Sequence, residues 1–504
     1  MKDMDVAVNR IENAIKNNER ILIYGDYDVD GTTAVSLVYS FFKDFYENVA
    51  FYIPDRYTEG YGISLQGIDF ASDNNFSLII ALDCGIKAND KVHYANEKKV
   101  DFIICDHHLP GEKLPDAVAI LDPKRNDCPY PFKELSGCGI GFKLIQAFAI
   151  NNNILTEKIY DQLDLVAVSI ASDLVPVTGE NRILAKFGTD RINNDPRPGI
   201  KALMSDLKLT RVLDITDLVF IIGPRINAAG RIAHGSEAVT LLIEEDYEIA
   251  KEITKKIQLN NTNRKTLDKE ITDEAFAMID KDANMISRKT TVLYKEEWHK
   301  GVIGIVASRL IEKYHRPTII LASSNGKAVG SARSVPGFDL HDAIDACSEH
   351  LVQFGGHKFA AGLTIELDKI EIFSSQFEKI VSERITEEQL IPQIEIEAEL
   401  ELSDITQKFY NVLDQMGPFG PGNMCPNFVT KDVYDTSYSK VLNGNHLKLN
   451  IIKDGQDPKN GVGFGMGSFM KIMEEKKSFD ICYQLYPNVW NGQTKIEFKL
   501  KDLR

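Results

Sequence analysis

Short apolar runs alternate with helix-like segments through the first 190 residues of the chain. The apolar runs occupy residues 21–25, 49–54, 77–85, 100–106 and 117–122. Such runs are typical of strands buried on both faces, and helices between them make the strands parallel. We therefore predict an α/β fold with a parallel sheet covered by helices. Because ligands of such sheets bind at the carboxyl ends of the strands, the residues that end each run are the first candidates for a site.

The pattern of the remaining residues separates three more regions from this first domain, residues 1–190. Charged helical periodicity without proline from Ser236 to about Ile286 predicts a long connecting helix within a helical linker region, residues 191–285. Apolar runs and helices return in residues 286–390, which predicts a second, smaller α/β domain. Residues 391–504 alternate with period two between Gly and Asn turns, which predicts a small antiparallel β-barrel.

Acidic residues and histidines follow three of the predicted strands and one predicted helix, residues 155–172. In chain order these residues are Asp26, Asp28, Asp30, Asp83, Asp106, His107, His108 and Asp173. The carboxyl ends of parallel strands meet at one edge of a sheet. We therefore expect up to six carboxylates and two imidazoles to lie close together there.

So many like charges lie together only when cations compensate them. A mixed set of carboxylates and imidazoles suits two divalent ions, Mn²⁺ or Mg²⁺, and imidazole favours Mn²⁺. Two such ions can activate a water and hold a phosphoryl oxygen, so the pattern predicts hydrolysis of a phosphate ester or anhydride. The first aspartates also resemble the start of a calcium loop, but Leu37 stands at the twelfth position from Asp26, where that loop needs Glu. A single Asp before Gly is commonly a turn or cap residue, so the prediction depends on all four segments together.

Composition limits the class of protein further. The 504 residues include 58 Lys+Arg and 74 Asp+Glu, a net charge of −16, which disfavours a general nucleic-acid coat protein. The seven cysteines are widely spaced without a CxxC pair, so we expect neither a disulfide framework nor a structural zinc site. A signal-peptide core and an apolar run long enough to span a bilayer are both absent from the sequence. We therefore expect a cytoplasmic protein with no membrane partner.

Four motifs, YGDYDVDG, ALDCG, CDHH and ASDLVPVTGENR, occur in this order. Together they resemble the motifs of the DHH phosphoesterases, and the particular residues in them resemble those of the RecJ exonucleases within that family. The resemblance continues through GPRINAAGRIAHG, GSARS, FGGHKFAAG and MGPFGPGN, so it covers nearly the whole chain. It implies a DHH domain, a DHH-associated domain at 286–390 and an oligonucleotide-binding (OB) barrel at 391–504. It also implies several dozen residues ahead of the segment at which this chain opens.

The resemblance assigns roles to the motif residues. It implies metal ligation by Asp26, Asp28, Asp30, Asp83, His107 and Asp173. Asp83, as the single carboxylate of its strand, is expected to bridge the two ions. Asp106 and His108 are expected to orient ligands or the leaving group. For Asp26, metal ligation and a strand-end cap both stay open.

Substrate-binding residues are expected in the second domain and beside the first. Ser331 and Arg333 would grip a terminal phosphate, Gly355 and Gly356 would let the backbone approach it, and His357 would contact the scissile phosphate. Backbone contacts are expected from Arg56, Arg225 and Arg231, and stacking contacts from Tyr57 and Tyr61. In the barrel, residues 437–504 carry a net charge of +4, and their candidate stacking residues are Phe464, Phe469, Tyr483 and Trp490. Surface arginines and core aromatics are the alternative interpretations of these residues.

The activity implied by the resemblance is two-metal hydrolysis of single-stranded DNA from its 5′ end, in DNA repair and recombination. A monomer working with a single-strand-binding protein and a helicase is implied in the same way. The alternatives are a DHH phosphodiesterase acting on short oligonucleotides or dinucleotides, and a DNA-binding relative without catalytic activity. The barrel after residue 391 favours a long substrate over the first alternative, and the complete set of motif acids and histidines disfavours the second.

Overall fold

The computed structural model describes residues 1–490 and 493–504. A parallel five-stranded sheet forms the centre of the first domain, and its strand order is β2-β1-β3-β4-β5. The strands are β1 (Arg20–Gly25), β2 (Val49–Tyr52), β3 (Phe76–Leu82), β4 (Asp101–Cys105) and β5 (Ala119–Leu121). The apolar residues of β1, β3, β4 and β5 are almost wholly buried because helices cover both faces, whereas the edge strand β2 is half-buried. The predicted α/β fold is confirmed, and the order of the strands reverses between β1 and β3, where ligands of such sheets bind.

Helices cover this sheet and continue into the connecting region. They are α1 (Met4–Lys16), α2 (Val29–Lys43), α3 (Leu65–Asp73), α4 (Asn89–Glu97), α5 (Gly137–Asn151), α6 (Thr156–Tyr160), α7 (Leu163–Asp173), α8 (Gly179–Asn194), α9 (Pro198–Asp206), α10 (Ile215–Asp217), α11 (Gly223–Ile232), α12 (Ser236–Ile243), α13 (Tyr247–Asp280) and α14 (Ala283–Ser287). The helix predicted over 155–172 is therefore two helices, α6 and α7.

The boundary of the first domain differs from the prediction. Residue 190 lies inside α8, and the core of the first domain continues as far as Ile257. Helix α12 buries its apolar side in that core, so the connecting helix proper is α13, which begins at Tyr247 instead of Ser236. The hydrophobic period and the charge pattern of the sequence do not distinguish α12 from α13, because both segments are amphipathic. The structure distinguishes them because α12 packs against α2 in the first domain.

A mixed five-stranded sheet organises the second domain. Its order is β6-β7-β8-β10-β9, with β6 and β7 parallel and the other pairs antiparallel. The elements are β6 (Thr291–Lys295), α15 (Ile303–Tyr314), β7 (Thr318–Ser324), β8 (Lys327–Arg333), α16 (Leu340–Asp345), β9 (Leu351–His357), β10 (Ala360–Ile365) and α17 (Ile370–Arg384). Gly355, Gly356 and His357 were expected directly after a helix. They lie instead at the end of an edge strand, because β9 pairs with β10 up to the His357–Ala360 pair.

The C-terminal region forms a seven-stranded sheet that closes into a barrel, as predicted, but two of its strand pairs are parallel instead of antiparallel. Its order is β11-β12-β16-β17-β15-β14-β13, and a further pairing of β12 with β14 closes it. The elements are β11 (Ala398–Glu399), α18 (Gln407–Asp414), β12 (Phe428–Asp435), β13 (Lys440–Leu442), β14 (His446–Ile452), β15 (Lys459–Gly463), α19 (Met470–Glu474), β16 (Phe479–Trp490) and β17 (Gln493–Leu503). In the described part of the chain, no helix is both long and apolar enough to cross a membrane.

The barrel is attached to the first domain next to the end of α7. The Val177 amide donates to the Pro421 carbonyl at 2.6 Å, and Arg182 Nη2 donates to the carbonyls of Gln415 and Gly417 at 3.0 and 3.1 Å. Val177 follows Asp173 by only one helical turn of sequence. The barrel is therefore anchored beside one of the predicted site residues.

Helix α7, which carries Asp173, is held by a buried ion pair at its other end. Asp164 is fully buried and receives Arg197 Nε at 2.7 Å and Nη2 at 2.8 Å. We expect Arg197→Gln to lower the free energy of unfolding by about 3–5 kcal/mol, because it leaves a buried carboxylate unpaired. Urea denaturation measures the change. Lys186→Gln, which breaks the exposed pair with Asp190 on α8, is the control and should cost about 0–1 kcal/mol; equal losses would contradict a special role for the buried pair.

Candidate active site

The carboxyl ends of three adjacent strands carry the predicted acids and histidines. Asp26 follows β1, Asp83 follows β3, and Asp106 with His107 and His108 follows β4. Because β1, β3 and β4 are neighbours in the sheet, these residues lie side by side at the point where the strand order reverses.

Asp28 and Asp30 enter the site from the start of α2. Asp28 caps that helix by accepting from the Gly31 amide at 3.0 Å. Asp30 accepts from the Gly137 and Cys138 amides at 2.7 and 2.8 Å and from the Ser169 hydroxyl at 2.7 Å. The amino end of α5 thus holds the Asp30 carboxylate as it would hold any anion.

Asp83 sits at the bottom of the site in a strained backbone conformation. Its φ is 60°, in the left-handed region that favours glycine, and both carboxylate oxygens are buried without a hydrogen-bond partner. Helix α5 approaches it so closely that a Cβ on Gly137 would lie 2.6 Å from the Asp83 Cβ. Strain and unpaired polar atoms of this kind are characteristic of binding sites.

His107 joins the carboxylates. Its Nε2 lies 3.2 Å from Asp83 Oδ1, 3.5 Å from Asp173 Oδ2 and 3.8 Å from Asp30 Oδ2. Both of its ring nitrogens are buried without a hydrogen-bond partner, and burial lowers the pKa of His107. Neutral imidazole is the form that binds metals.

Two groups of side chains could each hold a divalent cation. Asp83, His107 and His108 form one group, and Asp30, His107 and Asp173 form the other; within each, the ligand atoms lie within 4.8 Å of one another. Unpaired carboxylate oxygens beside a neutral imidazole fit Mn²⁺ or Mg²⁺. The structure thus brings together all of the predicted motif acids and histidines. Which of them ligate stays a prediction, and for Asp26, whose Oδ2 is also buried and unpaired, ligation and capping both stay open.

The electrostatics of the site show what a cation would relieve. Burial, followed by repulsion from neighbouring aspartates, raises the pKa of Asp26, Asp83 and Asp173 well above the ordinary value. The negative forms of these groups are therefore destabilised until positive charge arrives.

Asp106 has a different role from the other aspartates. Its Oδ1 accepts from the amides of His107 and His108 and contacts His108 Nδ1 at 2.7 Å, and its Oδ2 accepts from the Ile86 amide. Burial opposes ionisation, but the bond to His108, its positive charge and the backbone donors lower the pKa of Asp106 to about 2. Asp106 therefore holds the His108 ring in place, and its role in orienting ligands or the leaving group stays a prediction.

Two features of this site escaped the sequence reasoning. Asp122 follows β5, is fully buried with Oδ2 unpaired, and has a pKa raised to about 7 by burial and by Asp106. It ends the run 117–122, so inspecting every strand end would have found it. The second feature is the start of α5, where Gly137 and Cys138 bind Asp30; a contact between residues more than 100 positions apart leaves no local pattern.

The second domain faces the site with the predicted phosphate-binding residues. Arg333 Nη1 donates to Ser331 Oγ at 3.0 Å, and a Cβ on Gly304 would lie 2.9 Å from both Ser331 Oγ and Arg333 Nη2. The first turn of α15, where Gly304 lies, therefore packs closely against both side chains, and helix amino ends favour anions. His357 is exposed to solvent on one side, and partial desolvation by the surrounding protein, followed by repulsion from Arg333 and His108, lowers its pKa.

The three other predicted arginines occupy different surroundings. Arg56 lies over the Tyr27 ring at 4.9 Å, and Arg231 Nη1 donates to the Gly301 carbonyl at 3.0 Å. Arg225 is buried and donates to Gln258 Oε1 and to the Ile221 carbonyl. Arg56 and Arg231 therefore border the cleft between the first and second domains, whereas Arg225 is packed against α13.

The candidate aromatic residues are divided between surface and core. Tyr61 is half exposed and makes edge contacts with Tyr27 and His108, whereas Tyr57 bonds to the Arg231 carbonyl. In the barrel, Phe464 is exposed; Phe469 and Tyr483 pack in the barrel core, and the side chain of Trp490 lies outside the described residues.

Three family profiles match the chain. Residues 20–170 match the DHH family, N-terminal domain; residues 287–383 match the DHHA1 domain; and residues 396–502 match the RecJ OB domain. The three matches follow the three sheets of the structure.

Curated relatives match over the whole chain. The single-stranded-DNA-specific exonuclease RecJ of Bacillus subtilis is 36% identical over 100% of this chain, which spans 63% of that protein. RecJ of Salmonella typhimurium is 31% identical, with 100% of this chain and 90% of the relative covered.

Solved structures match as well. The structure of RecJ in complex with Mn²⁺ from Thermus thermophilus matches with a TM-score of 0.87 at 25% identity. The match covers 100% of this chain and 72% of the Thermus chain. A further structure, exonuclease RecJ bound to manganese, has a TM-score of 0.66 at 29% identity over 77% of this chain and 96% of its own.

The raised carboxyl pKa values predict how metal and pH affect stability. A carboxyl whose pKa rises on folding favours the folded state below its unfolded pKa and loses that contribution as pH rises through the folded pKa. The metal-free protein should therefore lose stability as pH rises. A fixed Mn²⁺ concentration of about 100 times the Kd at about pH 8 should restore about 2.7 kcal/mol per ion at that pH, and less at lower pH, where protons compete with the metal for the ligands. Thermal unfolding at about pH 5.5 and about pH 8 measures this: we expect the larger Mn²⁺ effect at the higher pH. A larger effect at the lower pH, or an unchanged effect in Asp83→Asn, would contradict the site.

Proposed function

We infer, from the fact that this chain belongs to the RecJ family of DHH phosphoesterases, that it is a metal-dependent exonuclease specific for single-stranded DNA. Membership follows from the Salmonella relative, 31% identical with 90% of its length covered. The observation that carries the activity is His107, whose Nε2 lies within 3.2–3.8 Å of the carboxylates of Asp83 after β3, Asp30 at the start of α2 and Asp173 at the end of α7. Arginines without carboxylate partners face these aspartates, as a phosphodiester substrate requires.

Two Mn²⁺ or Mg²⁺ ions would be held by the carboxylates of the two ligand groups and by the His107 imidazole, while His108 would stay free of metal and carry a proton. Once bound, such ions lower the pKa of water and neutralise charge on the phosphoryl group. The protein itself positions the reacting groups. The Asp106 carboxylate accepts a hydrogen bond from His108 Nδ1, so the other ring nitrogen, Nε2, is not used by Asp106. Burial lowers the pKa of His108, but the bond to Asp106 and the negative charges of Asp106 and the nearby aspartates together outweigh burial, and the pKa is raised. His108 can therefore hold a proton near neutral pH and donate it to the leaving oxygen.

Recognition of the DNA end is proposed for the second domain. Ser331, Arg333 and the first turn of α15 offer a hydroxyl, a guanidinium and backbone amides around one point, which suits a terminal phosphate. A 5′ phosphate at this point would set 5′→3′ polarity. His357, at the end of β9, would contact the scissile phosphate.

The cellular setting is proposed from the cysteines and from the substrate. The seven cysteines are all free, which suits a reducing compartment, and we propose that the protein works in the cytoplasm in DNA repair and recombination. A monomer supplied with single strands by a helicase and a single-strand-binding protein fits an enzyme that excludes duplex. The alternative activity on dinucleotides is less well supported, because the closed barrel provides a surface that a dinucleotide does not need.

The central test is digestion of single strands labelled at one end. With Mn²⁺, we expect a 5′-labelled strand to release labelled mononucleotide at once and a 3′-labelled strand to shorten progressively, while a blunt duplex stays intact. Asp83→Asn should abolish hydrolysis and retain binding of the strand. Intact single strands with the wild-type protein, or equal digestion of the duplex, would refute the proposed function.

Substitution of Asp106 tests the positioning of His108. Asp106→Asn removes the negative acceptor, and we expect kcat to fall about 10–100-fold with little change in KM, as for residues that orient ligands. The pH profile of kcat should also lose the limb that reports protonated His108. Asp116→Asn, an exposed loop position, is the control, and an unchanged pH profile in Asp106→Asn would show that His108 does not transfer the proton.

A further inference from the structure

Helices α11 and α13 pack against each other and bring a third arginine, Arg264, towards Arg225 and Arg231. Arg264 lies on α13 and is 9% exposed. Its Nε and Nη2 both donate to Asn261 Oδ1, at 3.2 and 3.1 Å. A single neutral oxygen is therefore the acceptor for this buried cation.

The polar groups around Arg264 are short of acceptors. Asp268 is the nearby carboxylate, but it accepts a bidentate pair from Arg309 at 2.9 and 2.8 Å. Asn261 is 1% exposed, and its Nδ2 is buried without a partner. Over residues 1–490 and 493–504, Arg264 forms no ion pair. An unpaired amide donor beside an unpaired guanidinium fits an anionic acceptor.

The position of Arg264 links it to the cleft. Burial, followed by repulsion from Arg56, Arg264 and Arg333, lowers the pKa of Arg231 to about 9. Burial and repulsion from Arg264 also act on Arg225. Helix α13 packs against α11, which carries Arg225 and Arg231, and against α15, whose first turn contacts Ser331 and Arg333. Arg264 is therefore on a helix that adjoins both elements beside the terminal-phosphate pocket. Cations without carboxylate partners that lie near one another repel, and a chain of phosphates would compensate them.

We propose that Arg264 and Asn261 form a binding site for an internal phosphate of the DNA strand, separate from the pocket at Ser331 and Arg333. This inference rests on the proposed function and names a part of the substrate path. Arg264 supplies the positive charge, Asn261 Nδ2 supplies a second donor, and the bond between the two side chains holds both in place. The site serves strands long enough to reach α13 from the terminal pocket, so it favours long substrates over dinucleotides.

Two substitutions test the site in different ways. Arg264→Gln removes the charge. Asn261→Asp places a carboxylate beside Arg264, which occupies the guanidinium internally and adds a repulsive charge. For a 5′-phosphorylated 30-mer with Mn²⁺, we expect each variant to raise KM about 10–100-fold, the effect of removing one charge-assisted hydrogen bond. KM for a dinucleotide should rise much less.

Binding without hydrolysis provides an independent readout. In an Asp83→Asn background, fluorescence anisotropy of the labelled 30-mer at several salt concentrations should show weaker binding in both variants. The slope of log K against log salt should fall in magnitude by about 0.7 in Arg264→Gln, because the variant neutralises one phosphate fewer and releases fewer counterions. Lys255→Gln removes an exposed charge from the same helix, paired with Glu252, and should leave KM and slope unchanged.

The outcomes separate this site from a packing role and from failure of the proposed function. Unchanged KM and salt slope in both variants would overturn the proposal. A fall in melting temperature with an equal rise in KM for the 30-mer and the dinucleotide would also overturn it, since it would show that Arg264 only packs α13. If the wild-type protein digests neither substrate, the proposed function fails, whereas the anisotropy measurement still reports on the site.

Discussion

The mutual repulsion of buried aspartates at the carboxyl edge of the first sheet is the constraint on which the rest of this structure depends. Asp26, Asp83 and Asp173 all have raised pKa values because burial, followed by repulsion from neighbouring aspartates such as Asp28, disfavours their charged forms. The fold counters part of this repulsion with fixed donors, the amino end of α5 on Asp30 and the backbone amides on Asp106. The remaining oxygens stay unpaired, which makes the edge a strong site for divalent cations.

Opposite signs of charge face each other across the cleft. The first domain supplies aspartates, and the second domain with α11 and α13 supplies arginines that bond to neutral oxygens instead of carboxylates. A phosphodiester bound with divalent cations is complementary to both sides at once. The net charge of −16 therefore describes the average surface, whereas binding of DNA would depend on local arginines and bound metal.

Sequence reasoning succeeded where function is local in the chain. The motif acids and histidines could be placed because each follows an apolar run, and strand ends of a parallel sheet share one edge. It was less accurate where the signal is not local. The boundary at 190 divides α8, and α12 belongs to the first core, because burial depends on which distant surface a helix meets. The sequence pattern places Gly355–His357 directly after a helix, although pairing with β10 makes them part of a strand.

The sequence by itself determined the family, the three domain types and the residues available to bind metal, because periodicity and motif spacing are local properties of the chain. The tertiary structure decided which atoms of those residues remain free. Asp30 is occupied by α5 while both oxygens of Asp83 are unpaired, and Asp268 is occupied by Arg309 while Arg264 is left with an amide. Those differences arise from contacts between distant segments, and burial turns each unmet hydrogen bond or charge into a preference for a ligand.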